Sequence, residues 1–386
     1  MFVYLDNSAT AKPYGEVVAK MIQYMETDFG NPSSLHRMGI AAEKAMKDAR
    51  KSAAASLGAR EEEIYFTSGG TEADNTAIFG AVQARKRRGN KIVTSRIEHP
   101  AVLESCRKLE ALGFQVEYIP VDREGVVDMQ ALESALDDQT ILITIMQVNN
   151  EVGSIQPISE IAELKNRVGG KQGAEILLHT DAVQSYGKMP ILLAGIDLLS
   201  VSGHKIHGPK GVGALYVRKG LNIQPYIFGG GQESGLRSGT ENVPAIAGFG
   251  VAADLCRKDM TRRIESMKAI KKHLADGICS EIPDIRINGS AEGSPAILNV
   301  SFLGVRGEVL LHTLEQSEIY VSTGSACSSN KKGQSHVLKA MGLSDKEIEG
   351  AIRFSFGGFN TLEEMDYVLD QLKTAVQKIR KLGSFR

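Results

Sequence analysis

Ser202-Gly203-His204-Lys205-Ile206-His207-Gly208-Pro209-Lys210-Gly211 stands between two short apolar runs, Leu198 to Val201 and Gly213 to Val217. A lysine placed just after a buried strand lies where open α/β sheets present their chemistry, at the carboxyl ends of the strands. Upstream, Ile176-Leu177-Leu178-His179-Thr180-Asp181 carries a carboxylate at the end of its own apolar run. Ile64 to Phe66, Lys91 to Thr94, Gln115 to Ile119, Ile141 to Met146 and Glu175 to His179 complete a set of seven. Runs this short and apolar read as strands buried on both faces. Helical stretches separate most of them: Thr71 to Arg87, Ala101 to Leu112, Met129 to Leu136 and Ile158 to Arg167, with a longer helix, Leu35 to Ser56, ahead of the sheet. This alternation predicts a mainly parallel seven-stranded sheet between helices.

From Pro244 to about Ile278 the pattern turns helical and more charged, which reads as a link to a second unit. That unit has strand candidates at Ile285 to Ile287, Ile297 to Phe302, Ile319 to Val321 and Ile352 to Phe356, and a final helix from Thr361 to about Arg380. The length of 386 residues exceeds what one core usually covers. The expected architecture is therefore α/β, with a large domain over 14–255 and a smaller α+β domain over 256–386 joined by residues 1–13.

A net charge of −1 argues against nucleic acid or a membrane surface as the main partner. No apolar run approaches the ~20 residues of a membrane span. The start Met-Phe-Val-Tyr-Leu-Asp lacks the charged head and long apolar core of a signal peptide, so a cytoplasmic location is expected. Cys106, Cys256, Cys279 and Cys327 form no CxxC pair, which points to neither a structural metal site nor a disulfide framework. The first three lie in helical or mixed contexts and are expected to be buried and inert.

Five segments fall after predicted strands. Thr67-Ser68-Gly69-Gly70-Thr71-Glu72-Ala73-Asp74-Asn75 opens a helix; its glycines allow close approach and its free N–H groups favour a phosphate, although a capped turn also explains it. Glu98-His99-Pro100 offers a histidine that can stack on a flat ring or simply face solvent. Asn149-Asn150-Glu151-Val152-Gly153 offers amides for a carboxylate or a ring substituent, or turn chemistry alone. Asp181-Ala182-Val183-Gln184 ends a buried strand with an acid that needs a partner, either a pyridinium N–H or a helix start. In the fifth, Ser202 and His204 can bind phosphate while the amine of Lys205 forms a Schiff base. Together these are the parts of a pyridoxal 5′-phosphate site. Gly203 to Lys210 is no P-loop, since proline precedes its lysine and no Ser or Thr follows.

In these segments, and from Tyr4-Leu5-Asp6-Asn7-Ser8-Ala9-Thr10 to the strand holding Arg353, the chain resembles the class V aminotransferase type of pyridoxal phosphate enzyme, specifically the cysteine desulfurases of the NifS/IscS type. The resemblance implies that Lys205 is the Schiff-base lysine and that Gly70, Thr71, Ser202 and His204 bind phosphate. It makes His99 the stacking histidine, Asp181 the ring-nitrogen partner, Gln184 the contact to the ring hydroxyl, and Asn150 a neighbour of substrate and cofactor. Gly229-Gly230-Gly231-Gln232-Glu233 through Arg237-Ser238-Gly239-Thr240 matches the loop that reaches the neighbouring subunit's phosphate through Thr240, which implies a homodimer. Relatives often have alanine at position 70, an exchange expected to be harmless.

Cys327 lies in Ser322-Thr323-Gly324-Ser325-Ala326-Cys327-Ser328-Ser329-Asn330-Lys331-Lys332-Gly333, a small, polar context expected to expose its thiol. Arg353, in Ala351-Ile352-Arg353-Phe354-Ser355-Phe356, shares one strand face with Ser355, opposite Ile352, Phe354 and Phe356. Its fork suits an α-carboxylate, and an edge-strand surface arginine is the alternative. The resemblance implies that Arg353 binds the carboxylate of L-cysteine and that Cys327 takes its sulfur as a persulfide, leaving L-alanine. The sulfur would pass to an acceptor in iron–sulfur cluster assembly or in tRNA or thiamine thiolation, and Cys327 is the expected transient ligand of a nascent iron–sulfur cluster. A selenocysteine lyase, a small-substrate aminotransferase and a sulfur-delivery adaptor without chemistry are the other readings.

Overall fold

A computed structural model describes residues 1–172, 175–323 and 334–383. The strands are β1 (Val3–Tyr4), β2 (Ile64–Thr67), β3 (Lys91–Ser95), β4 (Gln115–Ile119), β5 (Thr140–Thr144), β6 (Leu177–Asp181), β7 (Leu198–Ser202), β8 (Gly213–Val217), β9 (Ile285–Asn288), β10 (Ile297–Phe302), β11 (Ile319–Tyr320) and β12 (Ala351–Ser355). The seven expected strands form one sheet in the order β2-β8-β7-β6-β5-β3-β4. β8 alone runs antiparallel to its neighbours; the other pairings are parallel.

Both faces of this sheet are covered at its centre, which is why β5 to β8 are buried throughout, whereas the edge strand β4 exposes Gln115 and Glu117. Ile92, Leu142, Leu177, Leu198 and Leu215 pack in one cluster with Ala73, Ala77, Ile78 and Ala81 of the helix Gly70–Arg85 and with Val102, Cys106 and Leu109 of the helix Pro100–Ala111. The next residue along most of these strands faces the other way. Val93, Ile143, Leu178, Leu199 and Ala214 share a cluster with Ala42, Ala45, Ala49 and Ala53 of the helix Arg37–Leu57 and with Ala245, Phe249 and Ala252 of the helix Val243–Lys258.

A second core gathers Val3 and Leu5 with Ile297, Val300, Phe302, Ile352 and Phe354, under the helices Met260–Glu281 and Leu362–Gly383. Its sheet has the antiparallel order β12-β10-β9. β11 lies outside that sheet; it pairs in parallel with β1 at the N-terminus. The helices Gly15–Ile22 and Gly307–Glu315 do not figure in the sequence reading. Both are short, so they carry little periodic signal.

One expectation needs correction and one alternative falls away. Cys106 and Cys256 are buried, but Cys279 is exposed, because it follows the core-facing Ile278 on the helix Met260–Glu281 and so turns outward. Arg353 stands on β12, which ends the order of its sheet, but it is no surface arginine. β12 is covered on both faces, and Arg353 is only 2% exposed.

Candidate active site

The carboxyl ends of β2, β3, β6 and β7 converge on a cavity of about 240 Å³. Gly70 and Thr71 enter it from the turn after β2, His99 from the segment after β3, Asp181 from the end of β6, and Ser202, His204 and Lys205 from the end of β7. Asn150 and Gln184 also line it. Nine sequence-derived residues therefore meet in one place although they span Gly70 to Lys205.

Lys205 closes the single 3-10 turn that follows β7. Its Nζ donates to the carbonyl oxygens of Ser8 and Ala9, at 2.7 Å for Ala9. The N-terminal segment thus holds the amine at the cavity. Gly70 starts the helix Gly70–Arg85, so its first N–H groups are open to an anion. That turn rests directly on the sheet: a Cβ at Gly213 would lie 2.7 Å from the Gly69 carbonyl carbon, so only glycine fits below it.

His99 caps the helix Pro100–Ala111, its Nδ1 accepting from the Ala101 N–H at 3.1 Å. Its proton therefore resides on Nε2. Burial first, and the nearby Lys205 charge second, depress its pKa to about 4. His204 is held at about 4 by the same two causes in the same order, and its Nδ1 meets Thr10 Oγ1 at 3.2 Å. Both rings are neutral at neutral pH, so stacking and hydrogen bonding are their available roles.

Asp181 Oδ1 accepts from the Val183 N–H at 2.8 Å. Burial raises its pKa to about 6 against the opposing effects of that bond and of Lys205. A cationic ring N–H would supply the partner that favours its charged form. Gln184 donates through Nε2 to Ser8 O at 3.0 Å and accepts through Oε1 from Lys188 Nζ at 3.1 Å. Lys188 is buried, and desolvation brings its pKa down to about 7. Ser8 Oγ and Asp74 Oδ1 are buried with no hydrogen-bond partner among the described residues, and both residues line the cavity. An amine, a carboxylate, an anion-binding turn and two unmatched polar oxygens fit a phosphorylated, aldehyde-bearing pyridine.

Not every expected residue is in the cavity. Arg353 does not line it; Nη1 donates to the Asn150 carbonyl at 2.9 Å and Nη2 to Asp6 Oδ1 at 2.7 Å. Thr240 is exposed and likewise outside this cavity. Its loop is tied back by Arg237 Nε, which donates to Glu72 Oε1 at 3.0 Å, beside the phosphate turn. Cys327 lies outside the described residues. The flanking chain is held near the cavity walls: Ser322 pairs with the Arg353 backbone, Ser335 Oγ donates to Glu151 Oε2 at 2.5 Å, and His336 Nε2 meets Glu98 O at 3.0 Å. Gly70 is less neutral than expected. A Cβ there would stand 2.7 Å from Val183 Cγ2.

Sequence reasoning missed Ser8, Asp74, Met146, Val148 and Val183 as lining residues. Ser8 and Asp74 belong to the quoted segments, but nothing local marks a serine carbonyl as a lysine anchor.

The profile of the family described as aminotransferase class-V matches residues 3–368. The chain is 47% identical over 384 residues to the cysteine desulfurase IscS of Methanosarcina thermophila, covering 99% of this chain and 93% of that one. A solved structure described as a NifS-like protein superposes with a TM-score of 0.90 at 40% identity, covering all of both chains. Another, described as SspA in complex with cysteine, superposes with a TM-score of 0.80 at 35% identity, over 93% of this chain and all of that one. With the lysine, carboxylate and phosphate turn of such a site already assembled in one cavity, the chain belongs to the class V aminotransferase family of pyridoxal phosphate-dependent enzymes.

Proposed function

We infer that this protein is a cysteine desulfurase, which takes sulfur from L-cysteine and leaves L-alanine. The observation that carries the reading is the convergence of Lys205, Asp181 and the Gly70-Thr71 turn on one cavity, in a chain 47% identical to a cysteine desulfurase. Gly70, Thr71, Ser202 and His204 would hold the cofactor phosphate, His99 its ring face, Asp181 its ring nitrogen, Gln184 its ring hydroxyl and Lys205 its aldehyde carbon. Bound there, pyridoxal 5′-phosphate supplies an electron sink for bonds broken around the substrate α-carbon.

The chain's own groups do the rest. Arg353 and Asn150 orient the substrate carboxylate. The Lys205 amine moves the α-proton, and Asp181 keeps a proton on the ring nitrogen it faces. The Cys327 thiolate attacks the substrate sulfur; the bond from that sulfur to the β-carbon breaks, and its electron pair is protonated on carbon. Cys327 keeps the sulfur as a persulfide, and L-alanine leaves.

The sulfur then passes to an acceptor protein, an iron–sulfur scaffold or a tRNA- or thiamine-thiolation protein. The active form is a cytoplasmic homodimer in which Thr240 serves the neighbouring protomer's phosphate, a role supported by its exposure outside its own cavity. Among the described residues no helix is long and apolar enough to cross a membrane. Residues 14–255 form the cofactor domain, and 256–386 with 1–13 form the smaller one; the shared cluster of Val3 and Leu5 with Ile297 and Ile352 supports that division.

With L-cysteine and dithiothreitol, and no keto acid present, the protein should release alanine and sulfide in equal amounts. Cys327→Ala should stop sulfide release and leave the cofactor absorbance unchanged. Undiminished turnover in that variant would overturn the role of Cys327, and a requirement for a keto acid would overturn the reaction.

A further inference from the structure

The cavity wall contains a second carboxylate that the reaction above does not use. Asp74 is on the buried side of the helix Gly70–Arg85 and lines the same cavity as Asp181. Its side chain is 2% exposed, and its Oδ1 has no hydrogen-bond partner among the described residues. Its neighbours on that helix face are Ala73, Ala77 and Ile78, so an apolar residue would pack there without the desolvation cost of an acid. A buried acid beside a reactive site is a candidate for function on those grounds.

A chain of hydrogen bonds leads to it across the sheet. Thr144 Oγ1 meets His179 Nδ1 at 2.8 Å, and His179 Nε2 meets Ser200 Oγ at 2.9 Å. His179 Nε2 stands 3.6 Å from Asp74 Oδ1. With the His179 proton on Nε2, the Thr144 hydroxyl gives to Nδ1 and Nε2–H gives to Ser200 Oγ, so the imidazole has no proton left for Asp74. Oδ1 is thus buried without a donor, a setting that favours an acid proton on this carboxyl over a bare charge.

The charged and titratable groups around Asp74 favour that proton. Asp181, at the end of β6, lines the same cavity and contributes negative charge, and Glu98, after β3, adds to it only once it ionises, through about pH 8. His179 is neutral, its pKa lowered by burial to about 3. The positive charge of Lys205 acts on Asp181 instead. Burial first, then the Asp181 charge, pushes Asp74 well above the usual carboxylate range. Two carboxylates in one dry site do not both ionise readily.

We propose that Asp74 and Asp181, two buried carboxyls of one cavity, form a pair sharing one proton, with Asp74 holding it beside the Thr144–His179–Ser200 chain, so that Asp181 alone presents a negative charge to the cofactor ring nitrogen. Asp74 is thus a positioning residue: it fixes the charge beneath the ring at one unit and acts through Asp181. The proposal rests on the reading that Asp181 faces that nitrogen. A protein that stays colourless with pyridoxal 5′-phosphate would defeat that reading, whereas the measurements below test the pair.

Infrared spectra of the holoenzyme grown with carboxyl-13C aspartate should show, at neutral pH, a protonated-carboxyl band that moves with the label. Glu98, whose pKa burial raises to about 8, gives a band that the label leaves in place. The aspartate band should vanish in Asp74→Asn. In Asp181→Asn it should be lost at a lower pH than in the wild type, by at least about one pH unit, a tenfold change in proton affinity. In Ser200→Ala, which removes a hydroxyl favouring the ionised form, it should persist to higher pH. The wild-type cofactor absorption should change in the same alkaline range as the band, and this change should be missing in Asp74→Asn. Absence of a wild-type aspartate band, or its survival in Asp74→Asn, would overturn the proposal. So would a band indifferent to Asp181→Asn, which marks Asp74 as a structural acid.

Discussion

Arg353 Nη2 donates to Asp6 Oδ1 at 2.7 Å, so the guanidinium proposed to bind the substrate carboxylate already holds a carboxylate of its own chain. Arg353 is 2% exposed and its Nε has no hydrogen-bond partner among the described residues. A substrate carboxylate at this fork competes with Asp6. Hydrogen bonds to charged groups contribute about 1.5–3 kcal/mol, so Arg353→Ala should raise KM for L-cysteine by roughly 10- to 100-fold while the cofactor absorbance is kept. Asp6→Asn removes the competing charge and should lower KM a few-fold. Because it also leaves a buried cation without its counter-charge, its melting temperature should fall. A raised KM in Asp6→Asn would instead make Asp6 the residue that aims the fork.

Gly70 tests the packing of the phosphate turn. An added Cβ would stand 2.7 Å from Val183 Cγ2, closer than side-chain carbons pack, so Val183 must shift. Val183 follows Asp181 by two residues, and its N–H holds the Asp181 carboxylate. Gly70→Ala should therefore disturb the ring-nitrogen partner as well as the phosphate turn, weakening cofactor retention in equilibrium dialysis. Adding Val183→Ala should restore it. If the double variant is no better than Gly70→Ala alone, the loss arises in the backbone of the turn.

The seven strands were legible because a sheet covered on both faces demands unbroken apolar runs, and Ile92 with Val93 or Leu177 with Leu178 supply both faces at once. Lys205, Asp181 and His99 were legible because each directly ends or follows such a run. The pairing of β11 was not legible, because so short a run does not say which strand it joins and its partner, β1, lies at the opposite end of the chain. Asp74 and Ser8 were quoted without a role for a related reason. What gives them significance is a missing partner or a carbonyl aimed at Lys205, and neither is a property of local sequence.

Glu98 makes the stability of the protein pH-dependent in a definite direction. Its side chain is fully buried and accepts from the Met146 N–H at 2.9 Å, and burial raises its pKa from an ordinary 4.5 to about 8. A raised pKa means that the folded state keeps a proton that the unfolded chain gives up. Its contribution is fully present below pH ~4.5 and is lost as pH rises through about 8, at up to ~1.4 kcal/mol per pH unit. The depressed histidines act oppositely. His99 and His204 contribute stability above pH ~6.5 that is lost as pH falls through about 4. Glu98→Gln should flatten the decline of denaturant midpoint between pH 5 and 8 and leave the acid limb in place. An unaltered alkaline decline would show that another group, such as Glu151, carries it.

Thr240 offers the sharpest test of the homodimer, because it stands outside its own cavity while Lys205 lines it. Thr240→Ala alone should weaken cofactor retention about tenfold, as expected for one lost hydrogen bond to a charged group. Lys205→Ala alone should abolish the borohydride-trapped adduct. In a mixed dimer of the two variants, the Thr240→Ala protomer keeps its own Lys205 and receives an intact Thr240 across the interface. One site in each mixed dimer is then complete, so turnover at limiting cofactor should recover well above that of either parent. If Thr240 acted within its own protomer, that same site would lack it, and mixing would restore nothing.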